Sequence, residues 1–256
     1  MNVTTVKNLA CMTLLGVLLV FMSLGFSVIA CNAADETPKQ TRPLRGVTVD
    51  GAGKPMDENT VAAGLKNALN VAVDNAVALR GSEGGFGASP GFRITPAAEL
   101  CALVANSSSK QAQTQLLHLE ERMNRVAELA SAGAAPLLHQ AVAQVQIPYA
   151  IEVLRGDETA ATTYLRTHKF ASIKKDFSTL VRRTMAQAGL YRNVSALLRT
   201  LKHRSGVEDS IYDDIHTYLT AEALEGIFAT LKHEEHAMRT LPAARTTAQI
   251  KRVFSR

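Results

Sequence analysis

From Asp57 to Phe254 apolar residues recur at every third or fourth position, block after block, with polar residues between them. That spacing is helical. The first block predicts a helix over Asp57–Arg80 on Val61, Leu65, Leu69, Val73 and Val77, capped by Asp57 and stopped by Gly81. A glycine-rich loop follows, then a short helix from Pro96 to Val104. Ser107–Ser109 heads a long helix to about Ala132, whose apolar stripe is Leu116, Leu119, Met123, Val126 and Ala130. Pro136 opens a helix on Leu138, Val142 and Val145, and Pro148 restarts it as far as Leu154.

Asp157 caps a short helix through Leu165, separate from a long one over Lys169–Ala188 on Ile173, Phe177, Leu180, Val181 and Met185. Tyr191–Leu201 and, past a polar stretch around Gly206, Asp213–Leu219 come next. Thr220 caps Ala221–Arg239, which buries Leu224, Ile227, Phe228 and Leu231, and Thr246–Phe254 closes the set. No stretch alternates with period two and no repeat of fixed period is visible. The pattern predicts an all-α fold, a single multi-helix bundle of roughly eight to ten helices over 57–256.

A different pattern precedes the bundle. Lys7 is the only charge before Asp35, and an almost unbroken apolar run extends from Leu9 to Ala30. A positive start, an apolar middle and a small-residue exit form an export signal over 1–30. Val28-Ile29-Ala30-Cys31 resembles a bacterial lipobox, which makes Cys31 the lipidation site and the first mature residue. Asn32 behind it leans toward the outer membrane. Acyl chains contribute about 0.8 kcal/mol per buried methylene and together anchor durably. Two plainer readings compete: cleavage after Ala33, giving a soluble periplasmic protein, and an uncleaved span, for which roughly 20 apolar residues suffice. Residues 31–56, with Pro38, Pro43 and Pro55 and no periodicity, read as a flexible tether.

Composition adds little but excludes something. Apolar residues make up 46% of the 256 and there is no Trp, so the core rests on Ala, Leu, Val and a few Phe. The net charge of +5 is mild and forms no long block, which suits a solvated surface. Positive charge does gather at Arg182, Arg183, Arg192, Arg199, Lys202 and Arg204; the expected reading is a solvated face, with contact to anionic lipid or another polyanion as the alternative, and nucleic acid is not an expected partner of an exported chain. Cys101 is left alone once Cys11 and Cys31 are accounted for, so no disulfide framework is expected. Among Leu100, Leu103 and Val104 it reads as a buried, inert thiol.

Two motifs are rejected on chemistry. Gly87-Ala88-Ser89-Pro90-Gly91 matches a nucleophile elbow literally, but the oxyanion hole needs the backbone N–H after the serine, and Pro90 has none. His233-Glu234-Glu235-His236 has histidines three apart, no third ligand by spacing, and reads as a solvated, charge-mixed helix end, so no metal is expected. The glycine-rich loop lacks a Gly-Lys-Ser/Thr ending; its expected role is to tuck Phe86 and Phe92 against the bundle. No cofactor is expected.

Several separated motifs carry a resemblance. They are Gly84-Gly85-Phe86 with Arg93-Ile94; Asn124-Arg125 with Glu128; Gly156-Asp157 with Ala160-Ala161-Thr162 and Tyr164; Tyr218-Leu219-Thr220 with Ala223 to Phe228; and the ending Pro242 to Thr247 with Val253-Phe254. On these, Asn59–Phe254 resembles the bacterial family numbered 4197 among domains of unknown function. The resemblance implies a helical envelope protein and no activity. Within its motifs Asn124, Arg125, Glu128, Asp157, Tyr164 and Arg245 form a candidate polar cluster. Arg125 and Glu128 stand one turn apart and can pair; Arg245 can reach a carboxylate or a helix C-terminus. The cluster either fixes helix register or lines a cleft. The expected function is therefore non-enzymatic: a lipid-anchored envelope protein holding a partner protein or an amphiphile between helices. The alternatives are an enzyme built on the polar cluster, and a purely structural lipoprotein.

Overall fold

A computed structural model describes residues 48–201 and 208–255, which belong to a unit spanning Gly46–Arg256. The export signal, Cys31, Lys202 and Arg204 lie outside the described residues. Among those described, the chain forms nine α-helices and no strand. They are α1 (Glu58–Gly81), α2 (Ala98–Ser107), α3 (Lys110–Ala132), α4 (Ala135–Gln144), α5 (Ala150–Arg155), α6 (Ala160–Gln187), α7 (Leu190–Thr200), α8 (Glu208–Thr240) and α9 (Ala248–Phe254).

The middle of the bundle is α1, which touches α3, α4, α5, α8 and α9. Its buried face runs Val61, Leu65, Ala68, Leu69, Ala72, Val73 and Ala76. The alanines and glycines let neighbours come close. A Cβ on Gly64 would sit 2.1 Å from Val253 of α9, so only glycine permits that crossing. The longest pair, α6 and α8, lie side by side. Phe177, Leu165, Phe228, Ile227 and Leu231 are all buried in the core that these helices share with α1.

Caps fall where the spacing put them. Asp57 Oδ1 accepts from Thr60 N at 2.7 Å, and Ser109 Oγ from Ala112 N at 3.2 Å. Two expected breaks are absent. Residues 157–188 do not form two helices: α6 runs unbroken through 166–168. No Gly or Pro stands there, and the polar groups fold back onto the same helix, with Thr167 Oγ1 donating to the Thr163 carbonyl at 2.9 Å. Likewise Thr220 caps nothing. It is buried inside α8, where its hydroxyl donates to the His216 carbonyl at 2.7 Å.

The tether read over 31–56 also ends early. Thr48–Met56 forms a tight turn closed by the Val49–Pro55 bridge, with Asp50 accepting from Ala52 N and Lys54 N. Met56 is buried, Arg155 donates to Thr48 Oγ1 at 2.7 Å, and Arg252 reaches Asp50 at 3.2 Å. The folded body therefore begins before Asp57.

Candidate functional site

The six candidate polar residues separate into groups, each with structural work. Asn124, Arg125 and Glu128 face the glycine-rich loop from α3. Asn124 is buried; its Oδ1 accepts from Ile94 N at 2.9 Å and its amide donates to the Ile94 and Glu120 carbonyls. Glu128, also buried, accepts from Phe86 N and Gly87 N at 3.3 Å each, and Arg125 pairs with it at 3.3 Å. These carboxylate and amide oxygens satisfy backbone donors that a loop tucked into a bundle would otherwise strand.

Phe86 is wholly buried and packs onto Gly226 of α8, where a Cβ would stand 2.6 Å from its ring. Arg80, buried, closes this assembly: its guanidinium lies 3.8 Å from the Phe92 ring centre and donates to the Gly85 carbonyl at 2.6 Å and to Thr230 Oγ1 at 3.0 Å. Ser89 of the rejected elbow donates its hydroxyl to the Gly84 carbonyl at 3.1 Å.

Asp157 and Arg245 line one depression near the end of α8. Asp157 turns the chain by accepting from Thr159 N at 2.8 Å rather than capping α6. Arg245 donates to the Met238 and Arg239 carbonyls, capping the C-terminal end of α8 as a cation should. Tyr164 stands apart, donating to the Gln146 carbonyl at 2.8 Å and stacked on His168.

The sequence reading missed what caps α6. Glu235, only 2% exposed, accepts from Ala161 N at 2.9 Å and Thr162 N at 2.7 Å. It also pairs with Arg239 at 2.8 Å, and Arg239 donates onward to the Leu154 and Val153 carbonyls. The solvated reading of 233–236 is therefore corrected at this position. A carboxylate at a helix N-terminus meets both the orphan N–H groups and the positive end of the dipole. His233 is exposed and His236 pairs with Glu158 at 2.7 Å.

Two arginines of the basic face, Arg182 and Arg199, make local contacts, the latter to the Ser195 carbonyl of its own helix. Arg182 binds Asp213, and its Nη2 lies 3.2 Å from Nδ1 of the buried His216. A guanidinium only donates, so Nδ1 accepts and the proton sits on Nε2, 2.9 Å from the Ser178 carbonyl. That imidazole has no lone pair left to activate the Ser178 hydroxyl 3.3 Å away.

An apolar recess lies elsewhere, between α2 and the first half of α8. Leu100 and Leu103 of α2 face Ile211, Ile215 and Tyr218 of α8, spaced i, i+4 and i+7, over the buried Met123 of α3. Pro96 and Ala97 complete the apolar lining, and Glu99 and Asp214 supply the charge. The cavity measures about 390 Å³. Of the ten residues of α2 only Val104 is buried, and Leu103 is 43% exposed. Cys101 is half-buried beside the groove, its thiol directed at the Pro96 carbonyl 3.6 Å away.

Tyr218 donates to the Thr95 carbonyl at 3.0 Å. Burial first, and the charge of Glu222 second, raise its phenol above the ordinary range. It therefore stays protonated and committed to that bond. The spacing in the chain does not reveal this groove: Leu100, Leu103 and Val104 stand at i, i+3 and i+4, the pattern of one apolar stripe, yet only Val104 is buried.

The family model described as "Protein of unknown function (DUF4197)" matches residues 55–255. No curated protein and no solved structure matches.

Proposed function

Because the chain belongs to the DUF4197 family, described only as of unknown function, we propose the reading its geometry supports best. The protein is a non-catalytic envelope component, tethered through a lipid on Cys31, that takes an amphiphilic ligand in the groove between α2 and α8. The groove is the observation that carries this: a recess of about 390 Å³ lined mainly by apolar side chains, within the roughly 300–1,000 Å³ of small-ligand sites. The export pattern of Leu9–Cys31 supports the tether. Among the described residues no helix is long and apolar enough to cross a membrane, so in this reading the N-terminal segment supplies the attachment.

The residues of the candidate polar cluster are spent on loop anchoring, turns and helix capping, which favours a binding role over a catalytic one. Mass spectrometry of the mature N-terminus, with co-purifying lipids and proteins identified in the same preparation, tests the whole reading. The expected result is an acylated Cys31 and one enriched amphiphile. An unprocessed N-terminus with nothing enriched overturns it.

A further inference from the structure

We infer that the occupant of the α2–α8 groove is a small cationic amphiphile, an apolar chain ending in an ammonium-like head. This rests on the groove being a ligand site at all, as proposed above. The first argument is size. About 390 Å³ accommodates a single chain, whereas a helix with its side chains is roughly 10–12 Å across. The second is charge. Glu99 and Asp214 stand on opposite helices, and among the described residues no Lys, Arg or His lines the recess.

Both carboxylates are exposed, and neither has a hydrogen-bond or ion-pair partner among the described residues. Several carboxylates elsewhere are committed, Glu120 to Arg93, Glu128 to Arg125, Asp213 to Arg182, Glu225 to Arg166 and Asp50 to Arg252. Glu83, Asp176 and Glu222 also have no hydrogen-bond or ion-pair partner among the described residues, so what sets Glu99 and Asp214 apart is the apolar recess they line. In a chain of net charge +5, an apolar recess flanked by uncommitted acids selects a cation and repels an anion. The third argument is the donor inventory. The Tyr218 hydroxyl is spent on the Thr95 carbonyl, so it is not available to an anionic head group.

The test uses the full chain in phosphatidylcholine nanodiscs, with methionine methyls labelled with ¹³C and empty nanodiscs as the blank. Met123→Leu identifies the Met123 resonance among the seven methionines. Decyltrimethylammonium, decyl sulfate and decanol are titrated in turn. The expected result is a saturable shift of the Met123 methyl by decyltrimethylammonium, with decyl sulfate at least about tenfold weaker. Glu99→Gln with Asp214→Asn reduces the affinity for the cation about tenfold and leaves decanol unchanged. Neither position has a partner among the described residues, so the double variant is expected to fold as the parent does, checked by helical circular dichroism.

Decyl sulfate binding as tightly as the cation overturns the charge inference and leaves the groove as a ligand site. A Met123 methyl that answers none of the three probes overturns both. A basic helical peptide that shifts Met123 where decyltrimethylammonium does not overturns the small ligand in favour of a protein partner.

Discussion

Two regions of this molecule treat polar and apolar groups in opposite ways. At the junction of α6, α5 and the end of α8, charge is sunk into the interior and fully used. Glu235 serves two backbone N–H groups and Arg239, and Arg239 serves two carbonyls. At α2 the reverse holds: apolar side chains stay at the surface, and Glu99 and Asp214 stand uncommitted beside them. Partnered buried charge fixes how helices meet, while unburied apolar surface is left for something else to cover. The contrast separates residues that hold the fold from residues available for function.

The strongest way to break the contrast is Glu235→Ala. It strands two N–H groups and leaves Arg239 near-buried without its carboxylate, so chemical denaturation should show a loss of about 3–5 kcal/mol. A loss below about 1 kcal/mol would show that the hub is ornamental.

Next is Gly226→Ala. The added methyl meets the immobile Phe86 ring at 2.6 Å, and overpacking of this kind costs about 1–3 kcal/mol, against about 1 kcal/mol gained in helix propensity. Combining it with Phe86→Leu should recover part of the loss, a coupling that a thermal-melt double-mutant cycle measures. Asn124→Ala removes three hydrogen bonds to the chain at Ile94 and Glu120 and should cost about 1–3 kcal/mol. Hydrogen exchange should accelerate first at Phe86–Ile94, ahead of the α1 core.

At the other region the prediction is near silence in stability. Leu103→Ser, at a 43% exposed position, should shift unfolding by no more than about 0.5 kcal/mol while abolishing amphiphile binding. Comparably small is an acid effect on the α6–α8 surface. The hydrogen bond from Arg166, and then its charge, hold the Glu225 carboxyl below the ordinary range, with burial opposing. A carboxyl lowered on folding contributes stability above its unfolded value, lost as pH falls through the folded one. Glu225 is 52% exposed, so the pair is worth only about 0.2–1 kcal/mol. Glu225→Gln should flatten the stability profile by that amount below about pH 4.5, the ordinary value, and nowhere else.

The helical bundle was legible in the spacing of Val61 to Val77 and of Leu119 to Ala130, because a one-sided apolar face dictates what it packs against. Its caps at Asp57 and Ser109 were legible for the same local reason. Two boundaries inside 157–188 and 213–239 were not. Thr220 and the 166–168 stretch resemble helix starts locally, yet tertiary burial carries the helix through them. The cap of α6 was illegible in principle, since Glu235 lies 74 positions from Ala161 in the chain. The Arg125–Glu128 pair, one turn apart, was predicted from spacing alone. What spacing does not carry is that Glu128 looks toward Phe86 N rather than into a cleft.

The turn at Thr48–Met56 has a topological consequence. Asp50 is held by Arg252, and Gly51 lies against Ser255, so the first and last described segments of the body are neighbours. The described body, from Thr48 to Ser255, thus nearly closes on itself. A short linker joining the two, with new ends opened at the exposed Gly91, would give a circular permutant that keeps α2, α8 and the space between them.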